Sequence, residues 1–304
     1  MGVMVEGKWQ TKDSIGVDPK FEREASTLRA TIGDPEYPAQ AGRYLLYVVL
    51  GCPWAHRTLV MRGLLGLEDA IDVVILADRP SFEDGWVFDP NRPDPAGRRA
   101  LHEVYSAGVD AYTGRCTVPV LWDRETETIV NNESADIIRM MAQEMATFAR
   151  MPIEMRPADL VNELDALNER IYRNLNNGVY RAGFAQSQAG HDAAVDDVFD
   201  TLDWLEARLA DGREFLCGDR ITEADVRLCT TLFRFEAYRE VFYCDAAGPE
   251  AHPHVWAYRD RARRWNGVAP TLKRADDYKH GYAMIPFAAA NNPRIDRRVR
   301  TSAA

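Results

Sequence analysis

The chain has 304 residues, 46% hydrophobic and 28% charged, an ordinary globular composition with enough length for two packed units. Its 37 basic and 47 acidic side chains leave a net charge of −10, which argues against a protein that grips nucleic acid by neutralising phosphates. Five cysteines form an odd set without zinc-type spacing, so neither a disulfide framework nor a structural metal is expected and a reducing cytoplasm fits; no apolar run reaches the roughly 18 residues of a membrane span, and no export signal is seen.

Residues 1–42 mix charge, Pro and Gly without periodicity and read as an N-terminal extension either wrapped on the surface or partly mobile. The first firm element is the β-branched and aromatic run at 43–50, a strand stopped by Gly51 and followed at once by Cys52 and Pro53. Proline suits the first helical position, where its missing N–H costs nothing, and the apolar positions through Leu65 carry a helix to Gly66. The nearly continuous apolar run at 71–76 predicts a strand buried on both faces of a parallel pairing. A long loop rich in Pro, Asp and Arg spans 77–97 and holds Trp86, and a short helix is expected at 98–107. Strands at 117–123 and 128–130 form a hairpin, and the polar residues from Asn131 to Asp136 start a further helix.

Beyond Pro152 the pattern turns helical. Val195, Val198, Phe199, Leu202, Leu205 and Leu209 share one face of a helix. Thr222 and Asp225 frame a capping box read as structural, and residues 254–265 give another helix. After Pro270 the chain again mixes Pro, Asn and Arg. The expected organisation is α/β plus all-α, with an extension at 1–42, a first domain at 43–149, a linker at 150–156, an all-helical domain at 157–270 and a tail at 271–304.

A cysteine just before the first turn of a helix meets unpaired backbone N–H groups and the positive end of the macrodipole, and both favour the thiolate. Cys52 therefore reads as a nucleophile. Ala55 stands where a dithiol oxidoreductase has its second cysteine, so an external thiol must resolve any adduct on Cys52. Cys116, Cys217, Cys229 and Cys244 read as buried and inert.

Five blocks make the pattern specific: Cys52-Pro53-Trp54-Ala55-His56-Arg57-Thr58; Gly85-Trp86-x-Phe88; Gly114-Arg115-x-Thr117-Val118-Pro119-Val120-Leu121-Trp122-Asp123; Asn132-Glu133-Ser134-Ala135-Asp136-Ile137-Ile138-Arg139; and Asn177-Gly178-Val179-Tyr180-Arg181-Ala182-Gly183-Phe184-Ala185. In this order, over about residues 40–270, they resemble the glutathionyl-hydroquinone reductases, the Xi class of glutathione transferases. The resemblance implies a thioredoxin-like N-terminal domain followed by an all-helical glutathione-transferase C-terminal domain, in a homodimer. It implies glutathione, or another low-molecular-weight thiol, as cosubstrate, and a glutathionyl-hydroquinone as the conjugate that is reduced through a Cys52 mixed disulfide.

By the same resemblance Glu133 and Ser134 receive the γ-glutamyl end of the tripeptide, although both positions also suit simple helix capping. Val118 pairs its backbone with the ligand cysteine ahead of a cis Pro119, Arg115 holds the glycyl carboxylate, and Trp86 covers the bound thiol. Tyr180 contacts the phenolic substrate and can protonate it as it leaves. His56 is read as structural. The tail, which the family packs near the acceptor pocket, departs from the usual pattern: Gly281, Ala283 and residues 284–286 replace its His, second Tyr and Ser-His, and Tyr282 is the placeable pocket residue. Competing readings are an Omega-like deglutathionylase or dehydroascorbate reductase, and a noncatalytic binding protein that keeps the fold.

Overall fold

The structure, a computed structural model, describes residues 2–11, 26–245 and 249–297. The expectations for 12–25 and for the basic end of the tail lie outside the described residues. The chain divides into two compact units, one built from the N-terminal residues through 153 and the other from 154 onward.

The first unit contains a four-stranded sheet in the order β4-β3-β5-β6. Strand β3 (Tyr44–Val48) is central and wholly buried, as its uninterrupted aromatic and aliphatic run demands. It pairs in parallel with β4 (Ile71–Ile75), Tyr44 opposite Ile71, and antiparallel with β5 (Val120–Asp123), Tyr44 opposite Asp123. The β5–β6 hairpin (β6, Thr128–Asn131) shifts register between Leu121 and Trp122, so Trp122 faces Ile129 while Leu121 faces Asn131. Strand β4 is parallel as expected, but it is the sheet edge and not an interior strand. Its Asp72 is exposed, which a position enclosed on both faces would not tolerate.

Helix α1 (Pro53–Leu65) leaves the end of β3 and closes on Gly66, whose φ of 64° is the left-handed cap that glycine adopts without Cβ strain. Twelve of its thirteen residues are buried, Arg62 being the exception. Helix α2 (Leu101–Gly108) lies against β6, and α3 (Ser134–Ala142) packs on α1. A buried ion pair ties β5 to the start of β3: Arg43 reaches the two carboxylate oxygens of Asp123 at 2.8 and 2.5 Å.

The N-terminal extension is stitched into this unit. Strands β1 (Val3–Val5) and β2 (Lys8–Gln10) form a hairpin whose turn places Glu6 and Gly7 at φ 47° and 75°, the two left-handed positions a two-residue β-turn of this kind needs. Farther along, Leu28 and Ala30 exchange backbone hydrogen bonds with Asn132 and Val130, covering the outer edge of β6.

The second unit is helical: α4 (Val161–Arg170), a π-helical stretch Ile171–Asn176, α5 (Gly178–Gly183), α6 (Gln188–Leu209), α7 (Glu223–Leu232), α8 (Phe235–Val241), α9 (Pro253–Ala262) and α10 (Ala275–Ala283). The face of α6 named from periodicity is the buried one. The Thr222–Asp225 capping box is present, and Asp225 also accepts from Leu216 N–H and Tyr258 hydroxyl, each at 2.8 Å. Helix α10 falls in the stretch expected to be irregular tail; it buries Tyr278 and Tyr282 and packs on α8.

Candidate functional site

Cys52 is the N-cap of α1. Its carbonyl accepts from His56 N–H at 2.9 Å, and its half-buried sulfur lies 3.8 Å from the Val118 carbonyl oxygen. The Val118–Pro119 peptide is cis, and both residues are buried. The nucleophile position and the segment predicted to pair with the ligand are therefore adjacent. His56, one turn into α1, is fully buried.

Of the other cysteines, Cys229 and Cys244 are fully buried as expected, and burial pushes the Cys244 thiol well up. Cys116 and Cys217 correct the expectation: both are half-buried. Both lie outside the helices and strands of the fold. Burial still pushes the Cys116 thiol up to about 12.

Tyr105, which the sequence did not single out, organises the backbone beside Val118 and Glu133. Its hydroxyl donates to the Thr117 carbonyl (2.9 Å) and accepts from Thr117 N–H (3.2 Å) and from the Asn132 amide (2.9 Å). One fully buried side chain of α2 thus fixes the segment before Val118 to the segment before Glu133. Glu133 caps α3: its carboxylate accepts from Ala135 N–H at 3.0 Å and from the Ser134 hydroxyl at 3.4 Å. The buried Arg57 of α1 donates to Ser134 Oγ at 3.4 Å, setting a cation behind a hydroxyl and a helix N-terminus. The capping role of Glu133 is realised here. The same donors, Ser134 hydroxyl and the first N–H groups of α3, are those an incoming carboxylate needs.

Trp86 is half-buried in its loop, with its carbonyl accepting from Leu101 N–H at 2.8 Å. Arg115 is exposed, and its carbonyl accepts from the Tyr112 hydroxyl at 3.1 Å. All seven predicted positions from Cys52 to Ser134 belong to the first unit.

Tyr180 and Tyr282 belong to the second unit, and their hydroxyls meet at 2.9 Å. A third phenol joins them, Tyr238 of α8, at 3.1 Å from Tyr282 and 3.5 Å from Tyr180. Phe184 and Phe242 pack edge-on against the Tyr180 ring, and a Cβ on Gly183 would run into Phe242, so that glycine is required by close packing. Arg234 is fully buried in the same cluster, its guanidinium 4.5 Å from the centre of the Tyr278 ring. Burial and the neighbouring Tyr282 push the Tyr238 phenol up, while Arg234 pulls it the other way. A concavity of about 500 Å³ elsewhere in this unit is lined by Arg170, Arg173, Arg181 and Asp197 and contains none of the predicted positions.

Residues 51–144 match the family model of the glutathione S-transferase N-terminal domain, and residues 188–261 match that of the C-terminal domain. The chain is 40% identical to the glutathionyl-hydroquinone reductase PcpF of Sphingobium chlorophenolicum, over 94% of this chain and 93% of that one. An Xi-class transferase structure from Natrialba magadii superposes with a TM-score of 0.85 at 40% identity, covering 93% of this chain and 88% of the other. The chain belongs to the Xi class of glutathione transferases. Its fold is accordingly a thioredoxin-like domain followed by an all-helical transferase domain. The glutathione-bound structure of YqjG, a glutathione transferase homologue from Escherichia coli K-12, is a further neighbour, with a TM-score of 0.83 at 36% identity, covering 94% of this chain and 92% of that one. Ala55 stands one turn on from Cys52, so the Cys52-Pro53 pair carries no second cysteine beside it. Among the described residues no cluster of three or more His, Cys, Asp or Glu is placed to hold a metal, and no helix is long and apolar enough to cross a membrane.

Proposed function

We propose that this enzyme reduces glutathionyl-hydroquinones to hydroquinones at the expense of glutathione. The Cys52 thiolate attacks the glutathione sulfur of the conjugate; the sulfur–carbon bond breaks, its electron pair stays on the ring carbon, and a proton delivered there completes the hydroquinone. Cys52 is left as a mixed disulfide with glutathione. A second glutathione thiolate attacks the glutathionyl sulfur of that disulfide, releasing oxidised glutathione and regenerating Cys52, so the cycle is ping-pong and two thiols supply the two electrons.

The observation that carries this reading is a single cysteine at the start of α1 with its sulfur beside the Val118 carbonyl and no second cysteine one turn on. A neighbouring thiol would divert the intermediate into an internal disulfide. Glu133 and Ser134 take the γ-glutamyl end, Val118 and Pro119 the ligand cysteine backbone, Arg115 the glycyl carboxylate, and Trp86 lies over the thiol. Tyr180, with Tyr282, serves the phenolic half as hydrogen-bond and proton donor. The same reading makes the protein a cytoplasmic homodimer, in keeping with five cysteines that form no disulfide with one another.

The test is turnover of glutathionyl-menadiol by the wild type and by Cys52→Ala, beside turnover of dehydroascorbate. The reading expects the hydroquinone conjugate to be strongly preferred and Cys52→Ala to be inactive yet still dimeric. Retained turnover removes Cys52 from the mechanism, and a preference for dehydroascorbate replaces the substrate.

A further inference from the structure

The N-terminal hairpin holds two loops at once, and both flank residues assigned above to the thiol. On one side it grips 112–114: Met4 and Gly114 exchange backbone hydrogen bonds at 2.8 and 3.0 Å, Gly7 N–H donates to the Tyr112 carbonyl at 2.9 Å, and Glu6 N–H donates to Thr113 Oγ1 at 2.9 Å. The next residue is Arg115. On the other side Trp9 grips 83–85. Its indole N–H donates to the Glu83 carbonyl at 2.7 Å, and Thr11 hydroxyl donates to the same oxygen at 3.2 Å. The residue after Gly85 is Trp86.

The indole is seated by its surroundings. It stacks on His102 of α2 with centroids 4.7 Å apart and planes 12° from parallel. Gly85 sits at φ 66°, a left-handed conformation suited to glycine, and a Cβ there would lie 3.0 Å from the Trp9 ring, so the loop backbone runs tightly against the indole. Ser81 N–H donates to the Gly85 carbonyl at 2.7 Å and Ser81 Oγ accepts from Asp84 N–H at 2.7 Å, which makes 81–85 a closed turn with Trp9 as its floor.

We propose that residues 2–11 form a clasp for the thiol site, with Trp9 as a positioning residue that sets Trp86 while the Met4–Gly114 pairing sets Arg115. This rests on the glutathione-binding reading of Trp86 and Arg115. Without the clasp both loops keep their residues but must be ordered by the incoming thiol, so the loss falls on thiol binding and spares the intrinsic reactivity of Cys52.

The experiment measures the initial rate of iodoacetamide alkylation of Cys52 in the full-length protein across a glutathione titration, normalised to the iodoacetamide left after its reaction with free glutathione, for wild type, Trp9→Ala and Trp9→Phe. In Trp9→Ala the glutathione concentration giving half protection rises by about tenfold, the scale of one lost hydrogen bond plus one lost ring contact. In Trp9→Phe, which keeps the stack and loses the donor, it rises by roughly threefold. Alkylation without glutathione stays within about twofold in all three, and steady-state turnover shows the matching rise in KM for glutathione with kcat nearly unchanged. Half-protection of both variants within twofold of wild type, or equal losses in KM and kcat, overturns the clasp. If Trp9→Ala fails to fold, Trp9→Phe decides alone. Failure of glutathione to protect the wild type is a different result: it removes the thiol reading itself, and the clasp with it.

Discussion

Alkylation kinetics separate the cysteines by more than their exposure. The Cys116 thiol is pushed up to about 12 by burial, so at pH 7 only about one molecule in 10⁵ carries its thiolate. A free thiol near 8.5 is about 3% thiolate at that pH, roughly 3,000-fold more. Part of this gap closes because a more basic thiolate is the better nucleophile: with a Brønsted slope of about 0.45, the 3.5-unit difference returns about 40-fold. The net advantage of an ordinary thiol over Cys116 is therefore on the order of 100-fold, before the shielding of Cys116 is counted. Cys52, half-buried at a helix start, is expected to react with iodoacetamide at pH 7 at least 100-fold faster than Cys116. Peptide mapping by mass spectrometry after timed quenching reads both sites in one sample. Alkylation of Cys116 within tenfold of Cys52 would refute the reasoning, because neither burial nor the helix start would then be governing reactivity.

Three further outcomes follow from particular contacts. Tyr180→Phe removes the hydroxyl that meets Tyr282 at 2.9 Å and is expected to lower kcat for a glutathionyl-hydroquinone by about 100-fold, the lower end for a proton donor, with Tyr282→Phe losing about tenfold; unchanged kcat in both, measured under saturating thiol, would remove the phenols from the chemistry. Asp225→Asn keeps one oxygen for donors that Asp225 receives on two, leaving one or two buried groups unpaired, so urea denaturation should show a loss of about 2–4 kcal/mol, and a loss below about 1 would mean the box is relaxed in solution. Asp123 is buried, which raises its carboxyl, yet hydrogen bonds from Arg43, Glu125 N–H and Thr126 hold it below the ordinary 3.8. Because its folded pKa is depressed, its contribution is complete at neutral pH and fades as pH falls through that depressed value. Asp123→Asn should therefore cost about 3 kcal/mol at pH 7 and progressively less in denaturation curves below pH 4; an equal loss at pH 7 and pH 2 would contradict the pairing.

Local signals in the sequence located what local physics controls. The strand-to-helix junction at Cys52 was legible because Gly51 and Pro53 punctuate it, and the α6 face because its apolar residues repeat at three and four. The capping box needed only two residues three apart. The N-terminal hairpin was not legible: its strands are three residues each, and what holds them lies about 75 to 110 positions away, at Glu83 and Gly114. Helix α10 was hidden for a related reason. Tyr278 and Tyr282 are one turn apart, but Asp276, Asp277, Lys279 and His280 surround them, and it is tertiary packing, against α8 and against Tyr180 of α5, that gives that narrow aromatic stripe its partners.

Tyr282 also bears on the departure of the tail from the family pattern. The segment loses a His, a second Tyr and a Ser-His pair, yet the three-phenol cluster draws its members from three separate helices, α5, α8 and α10, and needs only one residue from the tail. Tyr238 replaces nothing lost from the tail, since it sits on α8 beside the buried Arg234, where a fixed positive charge opposes the rise that burial imposes on its phenol. Under the proposed function, proton donation belongs to the part of the helical unit whose packing is fixed by Phe184 and Phe242, and the substituted tail positions are left to shape what the hydroquinone ring carries. A tail that varies around a fixed phenol cluster changes which substituents are accepted before it changes whether the carbon–sulfur bond is broken. Substituting Met284 or Ile285 should accordingly alter the ranking of ring-substituted conjugates by kcat/KM while leaving the reaction of the smallest conjugate within a few-fold, whereas Tyr180→Phe lowers them all alike.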